Sequence, residues 1–199
     1  MMDERDEIII EPGKSAVSTG LGAIWKYRDL LYFLVWRDLK VKYKQTALGV
    51  AWAVLQPALS MIIFSFLFGR LANLPSDGIP YPVFVLAGLL PWNYFASVMG
   101  QSTQSLVANA NLISKIYFPR VIIPVSSASA ALMDFAIASC VLVVMMLWYG
   151  TGISAGVFLI PVLVLVTMMT AVGFGAWLSA LNVRYRDIQY AVPFLIQVW

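Results

Sequence analysis

Long uncharged stretches dominate the chain. The run Val121–Val183 contains a single charged side chain, Asp134, and the runs Gln45–Gly69 and Gly78–Ser114 contain none. A helix needs only about 20 apolar residues to cross the hydrocarbon core of a bilayer, whereas a soluble fold cannot bury runs of this length. The long run accommodates two crossings and a tight turn, and each shorter run accommodates one. The pattern predicts an all-α, polytopic membrane helix bundle.

Turn residues and charges divide these runs into spans. We expect four, at about 48–68, 83–106, 121–148 and 154–181, with a tight turn at Tyr149–Gly152. The segment from residue 188 to Trp199 has the composition of the start of a fifth span. About four and a half spans are therefore present, and we expect the natural protein to continue.

The N-terminal region divides into two parts. Residues 1–23 are polar and Gly-rich, which indicates a flexible cytosolic tail, and their acidic start is unlike a basic secretion leader. Residues 24–46 mix aromatic and aliphatic side chains with basic ones. This mixture is typical of an amphipathic helix that lies in the membrane interface. The alternative is a soluble helix packed on a partner domain.

Composition excludes several classes of site. The chain is 61% hydrophobic and 12% charged, with a mean hydropathy of +0.82, against about 25% charged residues in soluble domains. It has one cysteine, Cys140, and no histidine, so neither a disulfide framework nor a metal site is predicted. No catalytic constellation is visible. The net charge of +3 comes with basic residues that flank apolar spans, so no nucleic-acid partner is expected.

The basic residues predict the orientation of the bundle. Cytosolic loops of membrane proteins are enriched in Lys and Arg. Basic side chains occupy alternate loops here, and the other loops hold only Arg70. The pattern predicts a cytosolic N-terminus and a cytosolic segment 109–120. The basic side chains on the predicted cytosolic side are Lys26, Arg28, Arg37, Lys40, Lys42, Lys44, Lys115, Arg120, Arg184 and Arg186.

Three spans carry a stripe of polar or small residues at helical spacing. The fourth-span stripe consists of small residues, which predicts close helix packing. The first two are more polar, and either packing or a water-lined path explains them. The stripes are Gln45, Gly49, Trp52, Gln56 and Ser60 in the first span, Asn93, Ser97, Gln101 and Gln104 in the second, and Thr167, Ala171, Gly175 and Ser179 in the fourth.

Asp134 lies well inside the third predicted span. Because an intramembrane carboxylate is costly, a functional role is the first hypothesis, and a proton-coupled transporter would require such a group. The predicted spans contain no second acid and no basic partner for it. The pattern therefore favours a structural aspartate that is hydrogen-bonded to a neighbouring helix.

The tripeptide Gly13–Ser15 is part of the phosphate-binding-loop pattern. That loop also requires a glycine five positions earlier, where this chain has Ile8. Without this glycine the backbone cannot cradle a phosphate, so we expect no ATP site in this chain.

Four motifs resemble those of the permease subunits of ATP-binding-cassette polysaccharide exporters, the type-2 exporters of O-antigen, capsule and teichoic acid. The resemblance covers about residues 28–199, in the family's order and spacing. The motifs are Lys42–Gly49 with Trp52, Leu55 and Pro57; Gly88–Trp92; Asn111–Ile113 with Lys115 and Tyr117–Arg120; and Asn182–Asp187. Members of the family continue through a complete fifth span, re-entrant helices and a sixth span, which are absent here.

The resemblance implies a mechanism. Two copies of a six-span permease would form a channel for lipid-linked polysaccharide in the bacterial inner or plasma membrane. Separate cytosolic ATPase subunits would bind ATP and Mg²⁺, and the permease itself would hold no cofactor. The family's coupling helix would correspond to residues 109–118, an amphipathic segment that would present its apolar side chains to a groove of the ATPase. An ordinary interfacial loop is the alternative.

The resemblance also suggests roles for individual residues. The interfacial helix would correspond to the family's gate helix, and aromatic rings with side-chain amides would suit a sugar cargo. The candidates for ATPase coupling are Asn109, Asn111, Leu112, Ile113, Lys115, Tyr117 and Phe118. The candidates for the substrate channel are Trp52, Gln56, Trp92, Tyr94 and Gln101, and those for the gate helix are Trp25, Arg28, Trp36, Arg37, Lys42 and Tyr43. Interfacial anchoring or packing within the bundle is the alternative for the channel candidates, above all for Trp92 and Tyr94.

Two other functions are compatible with these residues. One is a related two-subunit exporter of drugs or lipids, with the same architecture and a smaller cargo. The other is a membrane-embedded transferase that acts on lipid-linked sugars. A transferase would turn over without an ATPase subunit, which distinguishes it from an exporter.

Overall fold

The computed structural model describes residues 21–44, 49–152 and 155–198. Residues 1–20 of the predicted tail, which include Gly13–Ser15, and Gln45 of the first stripe lie outside the described residues, whereas residues 21–23 of the predicted tail are helical. The helices are α1 (Leu21–Lys26), α2 (Arg28–Lys44), α3 (Gly49–Phe64), α4 (Tyr81–Ala108), α5 (Ala110–Lys115), α6 (Ile122–Tyr149), α7 (Ile160–Arg184) and α8 (Ile188–Val198). A π-helical segment, Ser65–Leu71, extends α3, and a 3₁₀ turn, Ala155–Leu159, precedes α7.

Four helices in the described part of the chain are long and apolar enough to cross a membrane. They are Ala51–Leu71, Tyr81–Ala108, Ile122–Tyr149 and Gly156–Arg184. Their number agrees with the four predicted spans, and their ends differ from the predicted bounds by a few residues. The predicted start of a fifth span is helical as well, as α8.

Helix α4 is the centre of the bundle. It packs against α6 and α7 over most of its length and also contacts α3 and α8. Its buried side chains recur every three or four positions, as one face of a helix requires. They include Val83, Leu86, Leu90, Tyr94, Val98 and Ser102. Between residues 59 and 67 the exposed side chains of α3 and its π-helical extension are apolar, as expected of a face in contact with lipid; they include Leu59, Ile62, Ile63 and Phe66.

The predicted interfacial helix at 24–46 is divided in two. The chain turns at Tyr27, between α1 and α2. Helix α2 packs along the first half of α6, with Leu34 only 1% exposed. Its other face carries the exposed aromatic side chains of Tyr32, Phe33 and Trp36, which suit an interfacial position.

The predicted tight turn after the third span is formed at Gly150. This residue ends α6 in the left-handed conformation, at φ 65° and ψ 23°, which glycine adopts without strain. The backbone amide of Thr151 donates to the Met146 carbonyl at 3.0 Å. The bond satisfies a carbonyl that the end of the helix would otherwise leave unpaired.

Candidate functional site

A polar cleft of about 300 Å³ opens between the end of α2, the start of α3 and the middle of α4 and α6. It brings together residues that the sequence placed in three separate groups, the channel, the gate helix and the third span. Its lining includes Lys42, Tyr43, Trp52, Gln56, Asn93, Tyr94, Ser97 and Asp134, with Ala53, Pro57, Leu90, Ala131, Phe135 and Ala138 supplying apolar surface. We call this the polar cleft.

Asp134 forms one wall of the polar cleft and connects α6 to α2. The Lys42 ammonium donates to its Oδ2 and the Tyr43 hydroxyl donates to its Oδ1. The predicted hydrogen bonds to a neighbouring helix are therefore present. The basic partner comes from α2 and not from a span, because α2 packs directly alongside α6.

The hydroxyl of Tyr43 remains a donor over the physiological pH range. Burial raises the pKa of Tyr43 well above its ordinary value, and the hydrogen bond to Asp134 and the charge of that carboxylate raise it further. All three effects disfavour a second negative charge beside Asp134.

Asp134 lies near the middle of α6, Ile122–Tyr149, and so well inside the third span, as predicted. It shares the polar cleft with Trp52 and Gln56, which lie in the first two turns of the span Ala51–Leu71. The ion pair with Lys42 lowers the cost of a charge at this position.

Trp52 and Gln56 occupy successive turns of one face of α3 and both are exposed. Across the polar cleft, α4 presents Asn93 and Ser97, which are likewise one turn apart. An indole ring and two side-chain amides thus face a common space. Such a space can accept hydroxyl groups through hydrogen bonds and the apolar face of a ring through contact with the indole.

Tyr94 belongs mainly to the core of the bundle. It is 4% exposed, its hydroxyl donates to the Ala128 carbonyl at 3.4 Å, and its ring lies 5.5 Å from that of Phe135. It contributes one edge to the polar cleft.

Two other channel candidates, Trp92 and Gln101, are not among the residues that line the polar cleft. The Trp92 ring lies 6.1 Å from that of Phe95. Gln101 donates from Nε2 to the Ser97 hydroxyl at 2.7 Å. Gln101 is one helical turn beyond Ser97, which places it past the end of the cleft.

Most of the gate-helix candidates lie away from the polar cleft. Arg28 is stacked over Trp25 at 5.6 Å, and Trp36 is covered by the Lys40 ammonium at 5.9 Å. Arg37 pairs with its neighbour Asp38 at 2.8 Å. Only Lys42 and Tyr43 of this group reach the cleft.

The segment between α4 and α6 is firmly anchored at its start. We call residues 109–118 the loop segment. Asn109 donates from its backbone amide to the Ser105 carbonyl at 3.1 Å and from Nδ2 to the same oxygen at 2.8 Å. These bonds satisfy a carbonyl at the end of α4.

The loop segment is less helical than predicted. Only Ala110–Lys115 is helical, and Ile116 is extended at φ −133° and ψ 133°. Pro119 disfavours the helical conformation only at Phe118, the residue before it, so it does not account for the earlier end of the helix at Ile116. Phe118 is turned back toward the bundle and is 6% exposed.

The loop segment divides into an inner and an outer set of side chains. Phe118, Leu112 and Ile113 pack with Leu34 of α2 and with Ile122 and Ile123 of α6. Phe118 is 6% exposed, so the expectation that it is offered to a partner's groove is wrong for this structure. Leu112 and Ile113 are only partly buried, and for them the expectation stays a prediction. Tyr117 is 84% exposed and Ile116 53% exposed, and Asn111 and Lys115 are exposed as well.

Sequence reasoning missed a polar seam between α4 and α7. Asn182, which is 2% exposed, donates from Nδ2 to the Thr103 carbonyl at 3.1 Å, and the Ser179 hydroxyl lies 3.4 Å from the Leu106 amide. The available signal was the spacing of Gly175, Ser179 and Asn182, which places all three on one face of α7.

Comparison with known proteins is consistent with this architecture. The sequence profile of the ABC-2 type transporter family matches residues 29–199. The O-antigen export system permease protein RfbA of Myxococcus xanthus is 32% identical over 178 residues, which cover 88% of this chain and 67% of that protein. RfbA of Klebsiella pneumoniae is 36% identical over 162 residues, or 81% of this chain and 62% of the relative.

A more distant relative is the polysialic acid transport protein KpsM of Escherichia coli. It is 27% identical over 166 residues, or 81% of this chain and 63% of that protein. The chain thus spans about two thirds of the length of these relatives. With the profile match extending over nearly all of α2 to α8, the chain belongs to the ABC-2 type transporter family.

Proposed function

We propose that this chain is the membrane subunit of an ATP-driven exporter of lipid-linked polysaccharide in the bacterial inner or plasma membrane. Two copies form the channel, and separate cytosolic subunits bind ATP and Mg²⁺ and hydrolyse the nucleotide. Membership of the ABC-2 type transporter family supports this proposal. So do the names of two relatives, an O-antigen export system permease and a polysialic acid transport protein. The N-terminus and the loop segment face the cytosol, as the basic residues predict.

The exposed face of the loop segment is the observation that carries the proposal. Tyr117 projects almost completely from the end of the bundle, next to Ile116 and Lys115. The buried side chain of Phe118 anchors this face by packing against Leu34, Ile122 and Ile123. A large aromatic side chain beside an aliphatic and a basic one, on a preorganised backbone, is suited to bind a protein partner.

The polar cleft is the proposed contact for the polysaccharide. Trp52 offers an indole face, and Gln56 and Asn93 offer amides that can both donate and accept hydrogen bonds. The cleft lies next to the end of α2 and the start of α3. A glycan attached to a membrane lipid would enter it from this side.

Co-expression with the candidate ATPase subunit tests the proposal. The two proteins should co-purify, hydrolyse ATP, and export polysaccharide in cells that lack the native permease. Tyr117→Ala and Lys115→Ala should lower export per ATP hydrolysed without preventing membrane insertion. Tyr149→Ala, which removes an exposed tyrosine at the opposite end of α6, is the matched control. Normal export by both loop variants would contradict the proposed docking face, and glycosyl transfer without any ATPase would favour a transferase.

A further inference from the structure

Helix α2 contacts both of the regions to which a function has been assigned. Its apolar contact is made by Leu34, which is buried against Phe118 of the loop segment and against Ile122 and Ile123. Its polar contact is made by Lys42 and Tyr43, which hydrogen-bond to Asp134 in the polar cleft. One helix therefore connects the proposed ATPase docking face to the proposed glycan contact.

The connection between these two contacts is stiff. Helix α2 runs without interruption from Arg28 to Lys44 and contains neither glycine nor proline. From Leu34 to Tyr43 it spans about 14 Å at 1.5 Å per residue. Because a helix of this length bends little, a shift of the loop segment against Leu34 displaces Lys42 and Tyr43 at the other contact.

The two contacts differ in how easily they open. The apolar contact is dry, with Leu34 only 1% exposed, and opening it would expose hydrocarbon to water. At the polar contact the side chain of Lys42 is 49% exposed and that of Asp134 is 27% exposed. The pair faces the polar cleft, whose other polar side chains, and water that enters the cleft, can replace its hydrogen bonds when it separates. The polar contact is therefore the one that yields when α2 moves.

We propose that the contact of Lys42 and Tyr43 with Asp134 is a releasable latch on the polar cleft, opened when α2 transmits a movement of the loop segment. This inference rests on the proposed function, since the movement comes from the ATPase partner. Asp134 acts as a positioning residue that holds one wall of the cleft. It carries no proton across the membrane in this scheme.

Reversible cross-linking tests the latch in the assembled transporter. The parent carries Cys140→Ser, which removes the single native cysteine. The test protein adds Leu39→Cys and Ala130→Cys, which lie one helical turn before Tyr43 and Asp134 on the same two helices, so that Lys42, Tyr43 and Asp134 stay in place. A short cross-linker that reacts with both thiols and is released by reductant joins the two positions. We expect ATP binding to lower the cross-linking rate about fivefold, a typical effect of coupling between two sites. We also expect the cross-linked transporter to stop exporting and to recover after reduction.

Charge exchange provides a second test that keeps an ion pair at the site. Lys42→Asp and Asp134→Lys should each lower the amount of polysaccharide exported per ATP hydrolysed. The double variant should recover most of this ratio, because it restores the pair with the charges reversed. Asp38→Asn, which removes an ion pair between neighbours in the same helix, is the matched control and should leave the ratio unchanged.

The outcomes separate the two proposals. A cross-linking rate that does not respond to ATP, together with full export by the cross-linked transporter, overturns the latch alone. A double variant that is no better than the worse single variant also overturns it. A parent complex that neither hydrolyses ATP nor exports polysaccharide overturns the proposed function, and the latch with it.

Discussion

Gly175 of α7 lies directly against Ser102 of α4. A Cβ atom added at Gly175 would stand 2.5 Å from the Ser102 Cβ, which is closer than real Cβ atoms approach. On either side of this contact Ala171 and Ser179 are completely buried. Glycine at this position therefore sets how closely the two central helices approach, as small residues do in membrane bundles.

Gly175→Ala should destabilise the bundle. The added methyl group must push α4 and α7 apart or displace Ser102, and overpacking of this kind costs about 1–3 kcal/mol. Unfolding in mixed detergent micelles measures the loss. Gly173→Ala is the matched control, since a Cβ atom at Gly173 meets nothing within 4 Å. Equal stability of the two variants would contradict the close approach.

Asn182→Ala should weaken the same pair of helices. The change removes the hydrogen bond from Nδ2 to the Thr103 carbonyl, and such bonds between membrane helices contribute about 0.6 kcal/mol on average and at most about 1.7. Among the described residues the Asn182 Oδ1 has no hydrogen-bond partner, so the loss should fall within this range. Gln104→Ala, an exposed amide on α4, should change stability little. If Asn182→Ala lost no more stability than Gln104→Ala, the hydrogen bond from Asn182 to Thr103 would contribute nothing.

The sequence predicted the bundle because lipid imposes a simple rule on composition. Any helix that crosses must be apolar over its length, and charges mark where it ends. The small-residue stripe through Ala171, Gly175 and Ser179 was readable for the same reason, since in lipid only packing explains it. The structure confirms burial of these three residues, whereas Thr167, the first member of the predicted stripe, is only partly buried.

The partners of Asp134 could not be predicted from the sequence. Lys42 and Tyr43 precede it by 92 and 91 positions, and their basic and aromatic character equally suits a helix that lies flat on the membrane. Only the packing of α2 alongside α6 distinguishes a helix that lies flat on the membrane from one whose end reaches Asp134. Phe118 was assigned to a partner's groove for a similar reason, because its apolar side chain gives no sign of which surface will cover it.

Tyr43→Phe should weaken the contact between α2 and α6. It should lower the free energy of unfolding by about 1 kcal/mol, the net contribution of a typical hydrogen bond. The pKa of Tyr43 in the folded protein lies above its ordinary value of 10.0, so the folded state retains the phenolic proton more strongly than the unfolded chain. The difference in stability between the parent and the variant should then be constant below about pH 9 and decline as the pH rises further. Unfolding at several pH values measures it. A difference that grows with rising pH would have the wrong sign for this interaction.

Trp52→Ala and Gln56→Ala should lower export while the complex still hydrolyses ATP. Both side chains line the polar cleft, and the loss of one hydrogen bond or one ring contact with the glycan corresponds to about a two- to tenfold decrease. Trp92→Ala and Gln101→Ala are matched controls of the same residue types outside the cleft. Equal losses for both pairs would show that the cleft is not the surface that the polysaccharide contacts.

Phe118→Ala and Tyr117→Ala should separate the anchoring of the loop segment from its docking. Phe118 is 6% exposed and packs on Leu34, so its truncation should cost about 3 kcal/mol of stability. Tyr117 is 84% exposed, so its truncation should stay within about 0.5 kcal/mol while lowering export per ATP hydrolysed. Thermal unfolding of the permease alone, followed by assays of the complex, measures both effects. If Tyr117→Ala unfolded the permease as readily as Phe118→Ala, the division into inner and outer side chains would be wrong. If Phe118→Ala changed coupling without any loss of stability, this residue would belong to the docking face after all.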